Sequence, residues 1–186
     1  MIKVVFLDRD GVINKYPGDR EYVKSWEEFS FLPGVFWALQ ELKSHGFKLF
    51  IISNQAGVSK GVYSQENLDL ITKNMLNECK KEGIILDGVY YCTHQPKENC
   101  PCRKPKAGLL DLALSNARIA YDTLDLGHSY FIGDSILDVQ TGKARGVKTI
   151  LLLSGREKIE NQATWDVAPD YIVEDLSEAA RLVSGI

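Results

Sequence analysis

Residues 8–11 read Asp8-Arg9-Asp10-Gly11 and follow directly on the apolar run Val4-Val5-Phe6-Leu7. That run has the length and β-branched character of a buried strand. In an extended chain, residues two apart share a face, so Asp8 and Asp10 are expected to project together while Arg9 points away. Two carboxylates side by side at the end of a buried strand repel each other and lose solvation. They need a cation, a shared proton or a shifted pKa. Asp-Gly is also a strong turn signal, and on these residues alone the two readings stand level.

The same punctuation recurs further along. Residues 47–52 form a second apolar run that ends in Ser53-Asn54-Gln55-Ala56-Gly57, and Tyr130-Phe131-Ile132 ends in Gly133-Asp134-Ser135. Carboxylates at strand ends suit a hard divalent ion such as Mg²⁺, which takes one or two of them plus waters and a substrate phosphate. The Ser53 hydroxyl and the N–H groups of the turn after it could hold phosphate oxygens, and Lys104 supplies a point positive charge. Together these parts describe phosphoryl transfer, in which catalysis is mainly positioning and charge neutralisation. A metal-neutralised carboxylate can be the nucleophile. Its neighbour, expected to be kept protonated by burial and like charge, can give a proton to the leaving oxygen.

A second constellation lies between residues 92 and 102. Cys92, His94, Cys100 and Cys102 offer three sulfurs and one imidazole in an irregular polar stretch, the ligand set of a closed structural Zn²⁺ site. Four protein ligands leave no open position for catalysis, so the expected role is a clip that stiffens the loop delivering Arg103 and Lys104. Cys79 shares a helical stripe with Leu68, Ile71 and Met75 and reads as core.

These side chains need a scaffold, and the periodicity supplies one. Pro33-Gly34 opens a helix ended by Gly46, and Ser64 caps a long helix to about residue 82. A short strand spans 88–91, followed by helices at 106–120 and from Ser135 to Arg145, strands at 149–153 and 171–173, and a closing helix at 176–183. Residues 15–32 read as an aromatic, irregular loop over the first strand end. Strands alternating with helices at this spacing predict an α/β fold with a mostly parallel sheet and helices on both faces. In such sheets ligands bind beyond the carboxyl ends of the strands, which is where all the polar punctuation falls.

The 186 residues suit a single domain, with a hydrophobic fraction of 45%, a charged fraction of 25% and a formal net charge of −3. That balance gives no electrostatic footprint for nucleic acid. No apolar run approaches the ~20 residues that span a bilayer, and no signal peptide is visible. The expectation is a cytoplasmic protein with no nucleic-acid or membrane partner.

Asp8-Arg9-Asp10-Gly11-Val12, Ser53-Asn54-Gln55, Lys104 and Gly133-Asp134-Ser135 with Asp138 resemble, in order and spacing, the four motifs of the haloacid dehalogenase (HAD) superfamily of phosphohydrolases. The resemblance implies a three-layer Rossmann-like fold and a Mg²⁺-dependent phosphomonoesterase working through an aspartyl-phosphate. Asp8 would be the nucleophile and Asp10 the general acid, then the base. Asp8, Asp134 and the backbone carbonyl of Asp10 would hold Mg²⁺, with Asp138 in support, while Ser53, Asn54 and Lys104 would bind the phosphoryl group. The cysteine insertion and Cys102-Arg103-Lys104-Pro105 resemble the branch of heptose-1,7-bisphosphate 7-phosphatases, with histidinol-phosphate phosphatases as the alternative. That likeness covers nearly the whole chain and implies one domain over 1–186, with a zinc loop at about 92–105, no separate cap domain, a small phosphorylated sugar as substrate, and a monomer. Arg103 is the first candidate to hold a distal phosphate, ahead of Lys15, Arg20 and Lys60, and Arg9 is expected to be structural. Ser135 stands where many relatives place a lysine. A zinc-stabilised module without catalysis is the third reading, disfavoured because a pure binder has no use for the second carboxylate at Asp10.

Overall fold

The computed structural model describes residues 1–185. Six strands, β1 (Val4–Leu7), β2 (Lys48–Asn54), β3 (Gly88–Cys92), β4 (Tyr130–Gly133), β5 (Lys148–Leu152) and β6 (Tyr171–Val173), form one sheet in the order β3-β2-β1-β4-β5-β6. Every pairing is parallel. The helices are α1 (Val35–Ser44), α2 (Gln65–Lys81), α3 (Gly108–Asn116), α4 (Ile136–Lys143) and α5 (Leu176–Ser184).

Alternation along the strands sorts the core into two layers. Val5, Leu7, Leu49, Ile51 and Ile132 face α1, α2 and α5, where Leu39, Leu42, Ile71, Met75 and Ala180 meet them. Val4, Phe6, Phe50, Ile52 and Phe131 face the other way, onto Leu109, Leu110, Ala113 and Leu114 of α3. α4 lies on this second side, where Gly142 admits Phe131 and Thr149 so closely that an added Cβ would strike both. This is the three-layer α/β architecture expected, and Cys79 is buried in the first layer as expected. Among the described residues, no helix is long and apolar enough to cross a membrane.

The boundaries differ in instructive places. β2 runs on through Ser53 and Asn54 because both pair with β3, opposite Tyr91 and Cys92. α3 is shorter than its apolar pattern predicts: the chain turns at Ala117 and Arg118 adopts a left-handed conformation (φ 56°). Ser64 does cap α2, its side chain accepting the Asn67 N–H at 3.2 Å. Residues 15–32 form the expected irregular cover, tied down by Trp26, Phe29, Phe31 and Phe36, whose rings meet stacked, tilted or edge-on at 4.6–6.4 Å.

The order 3-2-1-4-5-6 places the switch in winding direction at β1 and β4, where open parallel sheets leave a crevice. Asp8 follows β1 and Asp134 follows β4.

Candidate active site

The carboxylate of Asp8 lies beyond the last residue of β1, with its backbone N–H still donating to Ile132 O at 3.0 Å. Lys104 Nζ, 3% exposed, sits 3.0 Å from Asp8 Oδ1 and 2.5 Å from Asp138 Oδ1 and also donates to Ile52 O at 3.0 Å. Asp138, in the first turn of α4, accepts with its other oxygen from the Ser135 N–H at 3.1 Å and hydroxyl at 2.7 Å, closing a capping box. Asp134 Oδ2 accepts the Arg156 N–H at 2.8 Å. The carboxylates of Asp8, Asp134 and Asp138 each bring an oxygen within 4.8 Å of the others.

Three buried carboxylates face one ammonium, and the electrostatics follow. Burial, with Asp138 and Asp10 nearby, pushes the Asp8 carboxyl up to about 6 despite Lys104 and a Ser53 hydrogen bond. Burial, then Asp8 and Asp138, raise Asp134 well above the carboxylate range. Burial works against the charge on Lys104, but Asp138 and Asp8 outweigh it and hold the ammonium above the usual lysine range. An excess of buried, oxygen-only negative charge fits a hard divalent cation, which would relieve it.

Asp10 departs from expectation. Arg9, with no exposed surface, folds back so that Nη2 lies 2.9 and 3.1 Å from the two oxygens of Asp10, with Nε 3.2 Å from Oδ1. Asn14 Nδ2 donates to Oδ1 at 2.9 Å and Gln55 Nε2 to Oδ2 at 2.9 Å. Burial opposes ionisation here too, yet Arg9, Asn14 and Gln55 together hold the Asp10 carboxyl below the ordinary range. The cradle therefore favours the carboxylate form of Asp10, against the expectation that burial and like charge favour the protonated one. The strand pattern could not show that β1 ends at Leu7, after which the turn lets Arg9 reach its own neighbour.

The cysteine loop closes as a cluster. The three sulfurs lie 3.3–3.5 Å apart, with His94 Nδ1 3.3 Å from Cys102 Sγ and 3.7 Å from Cys92 Sγ. These spacings are close to the ~3.8 Å edges of a tetrahedron with ~2.3 Å metal–sulfur bonds and far beyond the ~2.05 Å of a disulfide. The loop is locked to the sheet by Asn54, whose Oδ1 accepts the Lys104 N–H at 3.1 Å while its Nδ2 donates to Lys104 O at 3.2 Å. Arg103 donates to His94 O at 3.1 Å.

Asp8, Asp10, Ser53, Asn54, Arg103, Lys104 and Asp134 all line one cleft of about 180 Å³. Arg20 lies in the same wall, whereas Lys60 donates to Tyr22 OH at 2.9 Å. Residues unassigned from sequence also belong to the site. Ser154 and Arg156, just past β5, reach Gly11 O and Asp134, and an added Cβ at Gly155 would strike the Asp134 carboxylate. Ser154-Gly155 is polar punctuation at the same sheet edge, a signal that could have found them. Gln55 stands in the second motif without an assigned role, and Tyr63 carried no such signal.

The family model described as "HAD-hyrolase-like" matches residues 101–179. The D-glycero-beta-D-manno-heptose-1,7-bisphosphate 7-phosphatase of Helicobacter pylori is 38% identical over 91% of this chain and 93% of its own. The D-glycero-alpha-D-manno-heptose-1,7-bisphosphate 7-phosphatase of Campylobacter jejuni is 38% identical over 84% and 85%. Among solved structures, the D,D-heptose 1,7-bisphosphate phosphatase of B. bronchiseptica, complexed with magnesium and phosphate, superposes with a TM-score of 0.86 at 29% identity, covering 98% of each chain.

Proposed function

The chain belongs to the HAD-like hydrolases and is a phosphoric monoester hydrolase, and from that membership we propose that it removes the 7-phosphate of D-glycero-D-manno-heptose 1,7-bisphosphate. The observation that carries the reading is the charge arrangement at the cleft floor. One buried ammonium, Lys104, bonds both Asp8 and Asp138, with Asp134 beside them. A phosphoryl group entering such a site meets a nucleophile and a fixed positive charge together.

In this reading Asp8 Oδ attacks phosphorus and the ester P–O bond breaks. The departing sugar oxygen takes a proton from Asp10, leaving a phosphorylated Asp8. Asp10, again a carboxylate, then takes a proton from water as that water attacks phosphorus, releasing inorganic phosphate and restoring Asp8. The cradle favours the Asp10 carboxylate, and negative charge on an entering phosphoryl group favours the proton it must carry to donate. Ser53 and Lys104 hold phosphoryl oxygens. Asn54, bonded at both ends of its amide to Lys104, sets the position of that lysine as well as lining the cleft. Mg²⁺, held by Asp8, Asp134 and the Asp10 carbonyl, would neutralise carboxylate and phosphoryl charge. Zn²⁺ on Cys92, His94, Cys100 and Cys102 would be structural. Arg103, in the cleft wall, is assigned to the distal phosphate, where its planar fork suits bidentate contact.

A phosphate-release panel tests this. Purified protein with Mg²⁺ is given each anomer of the heptose bisphosphate and, separately, histidinol phosphate, with and without chelator. The expected result is release from a heptose bisphosphate, abolished by chelator and by Asp8→Asn in a folded variant. No release from either anomer, or a large preference for histidinol phosphate, overturns the substrate assignment. Asp8→Asn with undiminished turnover overturns the mechanism.

A further inference from the structure

Behind Asp10, away from the cleft, lies a buried polar chain. Tyr63 OH donates to Gln55 Oε1 at 2.6 Å, and Gln55 Nε2 donates to Asp10 Oδ2 at 2.9 Å and to Ser53 Oγ at 3.2 Å. Gln55 is 1% exposed and Tyr63 6%. A buried amide has two orientations related by a half-turn, and only one puts its N–H toward the carboxylate. The other would set Oε1 against Asp10 Oδ2, acceptor against acceptor. The carboxylate, an acceptor only, turns Nε2 toward itself, and the Tyr63 hydroxyl holds the amide there by donating to the Oε1 left on the far side.

Tyr63 is itself held. Its ring lies 6.0 Å from that of Tyr22, a residue of the cleft wall. Gly57 leaves room for both: an added Cβ there would strike the Tyr63 ring and crowd Tyr22. On the far side of Asp10, Arg9 and Asn14 complete a cradle that contacts both carboxylate oxygens.

We infer that Tyr63, acting through the Gln55 amide, is a positioning residue that aims the Asp10 carboxyl at the leaving oxygen. This rests on the reading of Asp10 as proton donor in the first step. Tyr63 touches no substrate, so its effect is felt only when the proton matters. A sugar alkoxide is a poor leaving group and needs the proton as the P–O bond breaks, whereas p-nitrophenolate departs without one. Because kcat/KM covers steps only through the first irreversible one, transfer to Asp8, it isolates this difference from the later hydrolysis.

The test compares kcat/KM for heptose 1,7-bisphosphate and for p-nitrophenyl phosphate in wild-type protein, Tyr63→Phe and Asp10→Asn, all with Mg²⁺. Tyr63→Phe keeps the ring against Tyr22 and removes only the hydroxyl. Its kcat/KM is expected to fall on the order of tenfold for the sugar phosphate and to stay within about twofold for the aryl ester, a fraction of the full general-acid effect. Equal losses on both substrates, or none on either, overturn the inference. Asp10→Asn that keeps sugar-phosphate turnover overturns the parent reading instead, so the two failures are distinguishable. Should Tyr63→Phe not fold, Tyr63→Met, which removes the hydroxyl and refills the space with a flexible apolar chain, carries the same comparison with the same outcomes.

Discussion

Lys104 is the side chain whose removal separates charge from geometry at this site. Its Nζ lies 5.5 Å from the Phe131 ring centroid and bonds two carboxylates and a carbonyl. Lys104→Met preserves the stem and deletes the charge, leaving Asp8, Asp134 and Asp138 with no buried counter-ion among the described residues. Phosphate release is expected to fall roughly 100-fold or more, the scale of losing one preorganised charge contact in a dry site. Steady-state kinetics at saturating Mg²⁺ check it. Arg9 shows the complementary case: its Nε and Nη2 are both directed at one neighbour, the Asp10 carboxylate. Arg9, expected to point away from the catalytic face and to be structural, instead makes its bonds to a catalytic candidate.

Among the elements, the cysteine loop and the β2–β3 edge carry separable stability. The loop is a closed ligand set whose far end delivers Lys104 through the Asn54 clamp. Metal analysis is expected to find about one zinc per chain. Cys102→Ser should lower that content several-fold and cut activity, because the loop that presents Lys104 loses its anchor. Zinc-free protein that is equally active and stable would show the cluster to be something else. Asp87, before β3, joins Lys43 of α1 at 2.8 Å, Lys48 of β2 at 3.0 Å and the Leu49 N–H at 2.9 Å. Burial disfavours its charge, but Lys43, the Leu49 N–H and Lys48 prevail and hold its carboxyl below the ordinary range. A carboxyl with a depressed folded pKa stabilises above its unfolded pKa, about 3.9, and loses that contribution as pH falls through the folded value. Asp87→Asn should therefore cost about 1 kcal/mol at pH 7, with the difference from wild type shrinking below about pH 4. Urea titrations at several pH values measure it.

For the molecule as a whole, the site exists because segments from all along the chain meet over the crevice at β1 and β4. Gly11 (φ +82°) and Gly155 both press against the Asp134 side chain, where an added Cβ at either would collide. Gly155→Ala should displace Asp134 or its loop at a cost of about 1–3 kcal/mol, and activity should fall further than the melting temperature would suggest. Scanning calorimetry and phosphate release on one preparation compare the two. Much of this was legible beforehand. Apolar runs alternating with helical periodicity imply a parallel sheet, because each element's burial is written along its own length. The motif at Asp8, Ser53, Lys104 and Asp134 could be found because turn residues and carboxylates interrupt those runs at one edge. Strand order, the extension of β2, the return of Arg9 onto Asp10, and the pairing of Lys104 with Asp138 were decided only by the tertiary structure. Strand order and the Lys104–Asp138 pair depend on which segments, tens of residues apart, come to lie side by side, and the return of Arg9 onto its neighbour depends on where β1 gives way to the turn. Local periodicity reports how a residue faces its own element, and it carries no record of which distant side chain will stand opposite.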